Sequence, residues 1–258
     1  MLVSGRLNKC FPFFFTLFLF VGAAHAATVF EDDFDYEDVA ALRAAYPKVD
    51  GSSPGLGTDS GIDPDQPYFS ISNGIAERDI GTTLTEDWSV SYNVIHTSYL
   101  RYTWFALLND DGTEGYAFTW DSASASSNEG KGLVAIKKQT RAVTAWNDNG
   151  ALTALSSNIN SGHNAVGSDG AGMALFEASW DSATGTITLS VDGVELASVT
   201  DTSFDSFSKI QIKGNTSQAY DNIVITSSAI PEVSSASSLM GMVCLVACVA
   251  YRFPRKRR

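Results

Sequence analysis

A run of acidic residues near the start of the chain offers the first candidate chemistry. Retaining glycoside hydrolases need two carboxylates about 5 Å apart, which on one strand face means acidic residues at positions i and i+2. The segment Glu31-Asp32-Asp33-Phe34-Asp35-Tyr36-Glu37 has this spacing. Because it lies at the edge of the predicted domain, beside the chain start, rather than in mid-sheet, we interpret it as strand capping and cation chemistry, and we predict no catalytic residue.

The histidines do not suggest an active site either. His96 ends a predicted strand and could serve as the base of a polysaccharide lyase, but no partner strand containing Arg or Gln stands out. His163 is predicted to lie in a loop without a partner, and the sequence has no zinc spacing, nucleophile elbow or phosphate-binding loop. We therefore predict that the protein is not an enzyme. A lyase or glycoside hydrolase is the alternative.

Aromatic residues are the candidates for ligand binding, because sugars stack on flat apolar faces with polar tips. Tyr102 and Trp104 alternate with their neighbours on one strand and so share one sheet face. Core packing explains that pair as well as sugar binding does, and both interpretations stay open. We name Tyr102, Trp104 and Trp146 as candidate carbohydrate-binding residues, from an aromatic set that also includes Trp88, Tyr92, Tyr99, Tyr116, Trp120 and Trp180.

The elements that would position these side chains are β-strands. Short alternating segments separated by turn residues recur from about residue 68, and their β-branched and aromatic content is typical of a sandwich or barrel. A helix is predicted over Glu37–Ala45, with Asp35 as its N-cap. The predicted strands are Tyr68–Ile71, Ser89–Ile95, Leu100–Leu108, Tyr116–Trp120, Gly132–Lys138, Ala142–Trp146, Met173–Trp180, Thr186–Val191, Glu195–Val199, Ile210–Lys213 and Asn222–Thr226.

Two Asp-Gly pairs, Asp111-Gly112 and Asp192-Gly193, predict tight hairpins, since both central residues of a type I′ turn need positive φ. The second pair closes the clearest local pattern, a Trp strand, a Thr-Gly turn and the strand Thr186–Val191. In that strand Ile187, Leu189 and Val191 should point inward and the hydroxyl residues outward.

This hairpin resembles that of concanavalin A-like, laminin G-like jelly rolls, in which a Trp strand precedes a turn and a strand ending in Val-Asp-Gly. The acidic opening strand Phe30-Glu31-Asp32-Asp33-Phe34 and the closing strand Tyr220-Asp221-Asn222-Ile223-Val224-Ile225 are similar to further pieces of such domains. The resemblance implies an all-β fold: an antiparallel two-sheet β-sandwich of the concanavalin A-like lectin and glucanase type. It also implies, frequently, carbohydrate binding and a structural calcium ion.

Calcium prefers carboxylate and carbonyl oxygens as ligands. In a jelly roll the first and last strands lie side by side, which would bring Asp32 or Asp33 near Asp221. We name Asp32, Asp33 and Asp221 as candidate ligands of a structural calcium ion. The alternative is that these carboxylates are surface acids that cap strand ends.

The N-terminus has the pattern of a secretory signal peptide. Arg6 and Lys9 precede an apolar run from Phe11 to Val21, and Ala24-His25-Ala26 is a small-x-small cleavage site. The run of about eleven residues is too short to span a bilayer as a helix. Signal peptidase is therefore expected to cut after Ala26.

The C-terminus carries Pro231-Glu232-Val233, a serine-rich spacer, a short apolar stretch and the basic cluster Arg255, Lys256, Arg257 and Arg258. The basic residues are expected on the cytoplasmic side. This order resembles a PEP-CTERM sorting domain, with Val233 where the family has a second proline. The resemblance implies recognition by exosortase, loss of the tail, and transfer to the cell surface or matrix. A retained inner-membrane tail anchor is the alternative.

These features divide the chain into three predicted regions. They are a signal peptide over 1–26, a β-sandwich domain over 27–229, and a sorting signal over 230–258, with its motif at 231–233, a membrane segment at about 235–251 and a basic tail at 252–258. Between residues 27 and 230 there are 10 Lys and Arg against 28 Asp and Glu, a net charge of −18. Such a charge disfavours nucleic acid as a partner.

We expect a non-enzymatic surface or biofilm-matrix protein that binds extracellular polysaccharide and associates with the membrane through its C-terminal segment until that segment is cleaved. A structural coat protein without glycan affinity is a further alternative. All three cysteines lie in the two terminal segments, so no disulfide is predicted in the exported domain, which is large enough to be held together by its own core.

Overall fold

The structure, a computed structural model, describes residues 26–57, 67–96, 102–121, 131–164, 173–215 and 218–228. It contains sixteen strands and one α-helix within these ranges. The strands are β1 Ala26–Asp32, β2 Lys48–Gly51, β3 Gly55–Gly57, β4 Tyr68–Ile71, β5 Gly74–Leu84, β6 Trp88–His96, β7 Tyr102–Leu108, β8 Glu114–Asp121, β9 Lys131–Thr140, β10 Leu152–Ala154, β11 Ile159–Asn164, β12 Ala174–Asp181, β13 Thr186–Val191, β14 Val194–Thr200, β15 Phe207–Gly214 and β16 Gln218–Ser228.

The strands form two eight-stranded sheets in which every described pairing is antiparallel. Sheet A has the order β14-β13-β12-β6-β16-β4-β3, and β1 pairs with the second half of β16. Sheet B has the order β10-β9-β8-β7-β15-β5-β2, and β11 also pairs with β9. The two-sheet sandwich agrees with the sequence prediction.

The main core lies between the sheets and is rich in aromatic side chains. Tyr92 stacks on Phe105 with ring centroids 4.4 Å apart, which joins β6 of sheet A to β7 of sheet B. Trp88 and Trp180 also stack, at 6.3 Å. Offset and edge contacts of this kind stabilise aromatic pairs beyond their buried area. Of the predicted aromatic set, Trp88, Tyr92, Tyr116, Trp120 and Trp180 belong to this core.

The hairpin that carried the fold resemblance folds as predicted. β13 has the predicted bounds, and its Ile187, Leu189 and Val191 are buried while the intervening hydroxyl residues are partly exposed. Asp192 and Gly193 both adopt positive φ, 51° and 76°, as a type I′ turn requires. Alternating polarity with one solvated face therefore describes this part of sheet A correctly.

The other Asp-Gly pair does not form a tight two-residue turn. Of the two, Gly112 alone has positive φ, 69°, and the loop between β7 and β8 spans Asn109 to Thr113. The Asn109 side chain explains the longer loop, because its Oδ1 accepts hydrogen bonds from the backbone N–H groups of Thr113 and Glu114.

The helix α1 spans Val39–Ala45 and begins later than predicted. Its N-cap is Asp38, whose carboxylate accepts a hydrogen bond from the Ala41 backbone N–H, and not Asp35. Either carboxylate could cap a helix, so the sequence alone did not distinguish them.

The prediction of a strand at Ala142–Trp146 is wrong, because this segment is an irregular loop. The sequence also failed to predict β5, whose Glu77-Arg78-Asp79 run interrupts its apolar pattern. Those charges are accommodated by partners on other strands. Arg78 forms an ion pair with Asp32 of β1, and Glu77 accepts a hydrogen bond from Gln211 of β15.

Candidate functional site

The outer face of sheet B, which points away from the inter-sheet core, carries a second apolar cluster. β7 contributes Trp104, Ala106 and Leu108 to it, and β8 contributes Ala117. An apolar outer face is unexpected for a strand whose opposite face already lines the main core. It is buried because the segment that follows β9, residues 141–152, folds over it and adds Val143, Trp146, Ala151 and Leu152.

Residues 141–152 are held in place by one carboxylate. Asp148 accepts two hydrogen bonds from the Arg141 guanidinium, at 2.6 and 2.9 Å, and one from the Thr144 hydroxyl. The Arg141 contact is the main reason that the pKa of Asp148 falls to about 2. The loop is tied to the far edge of the sheet by Trp146, whose backbone N–H donates to Oδ2 of Asp50 on β2 at 2.7 Å.

Next to this loop lies a group of four side chains that we call the lysine–aromatic cluster: Tyr102 and Trp104 of β7, Lys137 of β9 and Lys213 of β15. The Lys213 ammonium lies 4.5 Å from the Trp104 ring centroid and 4.9 Å from that of Tyr102. Lys137 approaches the same Tyr102 ring at 5.0 Å and donates to its hydroxyl at 2.8 Å. Both lysines therefore form cation–π contacts.

Lys213 is 1% exposed, and the acceptor of its hydrogen bond is Oδ1 of Asn149, at 3.2 Å. Burial is the main reason that its pKa falls from 10.5 to about 8, because an ammonium without water is destabilised. Asp121 partly opposes this shift and Lys137 adds to it. In the described part of the chain, neither Lys137 nor Lys213 forms an ion pair with a carboxylate.

A hydrogen-bond chain runs from this cluster across the sheet. The Trp104 indole N–H donates to Oε1 of Gln211 at 3.0 Å, and the Gln211 amide donates to the Glu77 carboxylate at 2.8 Å. Gln211 is fully buried. The chain satisfies polar groups that would otherwise be costly to bury, and it fixes the Trp104 ring beneath Lys213.

The structure places all three predicted carbohydrate-binding residues on this face. Trp104 is fully buried, so its ring supports Lys213 and is not itself open to a ligand, whereas Tyr102 and Trp146 are partly exposed. Sequence reasoning missed Lys137, Lys213 and Gln211. The alternation of β15 could have indicated them, because Gln211 and Lys213 occupy the outward positions between Ile210, Ile212 and Gly214.

The predicted calcium ligands do not converge. β1 and β16 do pair, with Asp32 opposite Ile223. However, Oδ2 of Asp32 accepts hydrogen bonds from the Tyr36 and Tyr46 hydroxyls and forms an ion pair with Arg78. This environment does not fit a calcium ligand, since a guanidinium already neutralises the carboxylate.

The other two carboxylates have local partners. Asp33 accepts a hydrogen bond from the Asp35 backbone N–H, and buried Asp221 accepts two from Asn222. Among the residues that the structure describes, no group of three His, Cys, Asp or Glu could hold a metal ion. Calcium binding itself stays a prediction.

His163 has a partner that the sequence did not indicate. It lies on β11, and its Nδ1 is 2.7 Å from Oδ2 of Asp192 in the β13–β14 turn. The contact joins an edge of sheet B to an edge of sheet A. The His163 ring also packs edge-on against Trp120, with centroids 6.0 Å apart. This is a structural role for His163. His96 ends β6, as predicted, and its side chain lies outside the described atoms.

The predicted processing residues fall almost wholly outside the described part of the chain. Ala26 is the exception; it is the first residue of β1 and pairs with Ser228. The described residues include no helix that has the length and apolar character to span a membrane. The residues outside the described ranges are Ala24, Pro231, Glu232, Arg255, Lys256, Arg257 and Arg258.

A shallow cavity of about 300 Å³ lies away from the lysine–aromatic cluster, at the β3–β4 edge of sheet A. Tyr68, Ser70 and Gln218 are among its lining residues. Among the described residues its lining contains hydroxyl groups, one amide side chain and glycines but no charged side chain. The cavity is therefore an alternative binding position, with weaker means of orienting a polar ligand.

No model of a known protein family matches the chain, and no curated protein matches it. Solved structures do. β-Agarase A from Zobellia galactanivorans aligns with a TM-score of 0.54 and 13% identity, over 80% of this chain and 94% of the agarase. The carbohydrate recognition domain of Emp47p aligns with a TM-score of 0.52 and 10% identity, over 81% of this chain and 99% of that domain. Likeness at these identities concerns the fold: the chain has the predicted antiparallel jelly-roll sandwich.

Proposed function

We propose that this protein is a non-enzymatic carbohydrate-binding protein whose glycan site is the outer face of sheet B. The observation that carries the proposal is the lysine–aromatic cluster, which breaks the expected inside–outside alternation of the sheet. Natural sequences depart from such patterns mainly at functional sites. Tyr102 and Trp146 supply partly exposed aromatic faces, and Lys137 supplies hydrogen-bond donors beside them.

The chemistry of this face suits a sugar. Sugars present apolar C–H faces, which stack on aromatic rings, and hydroxyl groups, which need fixed donors and acceptors. The fold supports the proposal by analogy alone. Two solved structures that share it are β-agarase A, also determined in complex with oligoagarose (TM-score 0.56, 12% identity, 78% of this chain and 92% of that one), and the Emp47p carbohydrate recognition domain.

The location of the protein is a second part of the proposal. Signal peptidase cleavage after Ala26 and exosortase processing near Pro231 would leave the sandwich at the cell surface or in the matrix. Support comes from the order of motifs at the two chain ends. Intact mass spectrometry of the surface fraction tests it: a chain from Ala27 to about Pro231 is expected, and retention of the last twenty residues would contradict sorting.

Binding is tested with the full chain, purified in a detergent that has no sugar headgroup, on a panel of bacterial and algal polysaccharides. We expect at least one glycan to bind, and Tyr102→Ala and Trp146→Ala each to weaken binding roughly tenfold, the scale of one lost stacking contact. Ser91→Ala, on the outer face of sheet A, is the matched control and should bind like wild type.

The same panel separates the alternatives. Recovery of the bound glycan at its original length is expected of a binding protein, and shortened products would favour a lyase or hydrolase. No binding to any glycan together with concentration-dependent assembly would favour a structural coat protein and overturn the proposal.

A further inference from the structure

We propose that the lysine–aromatic cluster selects an acidic glycan, and that Lys137 and Lys213 together hold a carboxylate or sulfate group of the sugar beside the Tyr102 ring. This inference rests on the proposed function and names the ligand class of the same site. The inference is argued from the placement of the two lysines and not from the fold.

The first argument is the pairing of the basic residues. Lys138 pairs with Asp201 at 3.1 Å, Arg141 with Asp148 at 2.6 Å and Lys209 with Asp79 at 3.9 Å. Arg78 pairs with Asp32. Within the described ranges Lys137 and Lys213 form no ion pair, although the domain has 28 acidic residues. Arg43 and Lys48 also form none there, but both are exposed to water, whereas Lys137 is partly buried and Lys213 is buried.

The second argument is the cost of that arrangement. Two ammonium groups lie within 5.0 Å of one ring centroid, and one of them is buried. A buried charge is normally paired or neutralised, because desolvation is expensive. The Asn149 carbonyl and the two rings compensate only partly for lost water. An anion between the lysines would supply the missing charge.

The charged side chains around the two lysines do not neutralise them. Asp121 of β8, opposite Tyr102 in the sheet register, is the carboxylate that acts on Lys213. On the β5 side Glu77 is engaged by Gln211, and on β2 Asp50 accepts the Trp146 N–H. Glu77 and Asp50 keep their charges, because their donors are neutral, but neither is among the charged groups that act on Lys213. The two ammonium groups and Asp121 together leave a positive charge at this position of a domain whose net charge is −18. Such a local field concentrates an anionic group where the rest of the surface repels it.

Geometry also assigns the order of contact. Lys137 and Tyr102 are partly exposed, whereas Lys213 lies beneath the Asn149 turn. Lys137 therefore meets the anion directly. Lys213 attracts the anion through its charge, and it donates a hydrogen bond to the anion when the Asn149 side chain moves aside.

The test compares ligands that differ in charge alone, using the full chain. Oligogalacturonate is paired with its methyl ester, and a sulfated galactan oligosaccharide with its desulfated form. We expect one or both acidic members to bind at least tenfold more tightly than their neutral counterparts, and the preference to shrink with added salt. The two arms distinguish carboxylate from sulfate.

Lys137→Gln should abolish most of that preference, whereas Lys209→Gln, on the same face four residues before Lys213, should keep it. Affinity for the acidic sugar should fall as pH rises through about 8, where Lys213 loses its proton in the free protein. Lys213→Met should remove this pH dependence. If Lys213→Met fails to fold, the binding of Lys137→Gln and the pH profile of the wild type still test whether the site selects acidic glycans.

Two results would separate the claims. Tight binding of neutral glycans, lost in Tyr102→Ala but unchanged in Lys137→Gln, would overturn acidic selectivity and leave carbohydrate binding standing. Absence of binding to every glycan would overturn both.

Discussion

The outer faces of the two sheets contrast sharply although they belong to one sandwich. On sheet A, hydroxyl residues from six neighbouring strands occupy directly opposed positions. Two pairs are hydrogen-bonded to each other, Ser89 to Thr226 at 2.8 Å and Ser179 to Thr188 at 2.7 Å. The full row is Thr28, Thr226, Ser89, Ser179, Thr188 and Ser198. On sheet B, the corresponding face carries Trp104, Lys213 and a covering loop.

The outer face of sheet A has the alternation expected of a half-solvated sheet, and the outer face of sheet B departs from it. The hydroxyl row follows the alternation of a half-solvated sheet, and its polar groups are satisfied by water or by each other. The sheet B face contains a loop that buries apolar side chains and a buried ammonium that has no carboxylate partner among the described residues. The buried ammonium destabilises the isolated fold because it has lost its water, and the binding role that we propose accounts for its presence.

The largest expected effect comes from truncating the centre of the sheet B face. Trp104→Ala removes a fully buried ring and leaves Gln211 without its donor, so it should lower the free energy of unfolding by about 3–5 kcal/mol in urea titrations. Ser179→Ala, in the hydroxyl row, should cost less than about 1 kcal/mol. Similar losses for the two variants would contradict the contrast between the faces.

The next effect concerns the buried ammonium and depends on pH. The folded-state pKa of Lys213, about 8, is below its ordinary value of 10.5, so between these values the unfolded chain binds the proton first. The free energy of unfolding of the wild type is therefore highest above pH 10.5. It falls by roughly 3 kcal/mol at most as the pH decreases from 10.5 to 8.

Lys213→Met should accordingly be more stable than wild type at pH 7, by about 1–2 kcal/mol once the lost cation–π contacts are included. The gain should vanish near pH 10.5. Lys209→Met, which removes a surface ion pair, should show almost no such trend. Denaturant unfolding across pH 7–10.5 measures all three proteins. If Lys213→Met is less stable than wild type at pH 7, the buried Lys213 ammonium does not destabilise the fold.

The smallest effect is expected in the hydroxyl row. The double variant Ser179→Val with Thr188→Val exchanges a hydroxyl pair for two good strand formers, so stability should change by less than about 1 kcal/mol, and glycan binding should not change. Thermal unfolding and the glycan panel check both points. Loss of binding in this variant would move the site to sheet A.

The fold was largely predictable because alternation is a local signal. β4 and β13 match their predicted bounds, and in β13 the apolar residues repeat every second position. The missed strand β5 and the wrongly predicted strand at Ala142–Trp146 share one cause. In both segments long-range contacts override the local pattern: Arg78 with Asp32, and Val143 with the sheet B cluster.

The candidate site was predictable only in part. The positions of Tyr102 and Trp104 on one strand face follow from spacing alone. Their meeting with Lys213 does not, because β7 pairs with β15 more than a hundred residues away and no local pattern encodes that register. The partner of Asp32 could not be predicted for a related reason, since Arg78 lies on a strand that the sequence did not indicate.

The central claim is that a glycan binds the outer face of sheet B, and amide chemical-shift mapping of the ¹⁵N-labelled protein with a bound glycan tests it most directly. Perturbed amides in β7, β8, β9 and β15 and in the 141–152 loop are the predicted result. Perturbations confined to β6, β12 and β13, or to the β3–β4 cavity, would contradict it.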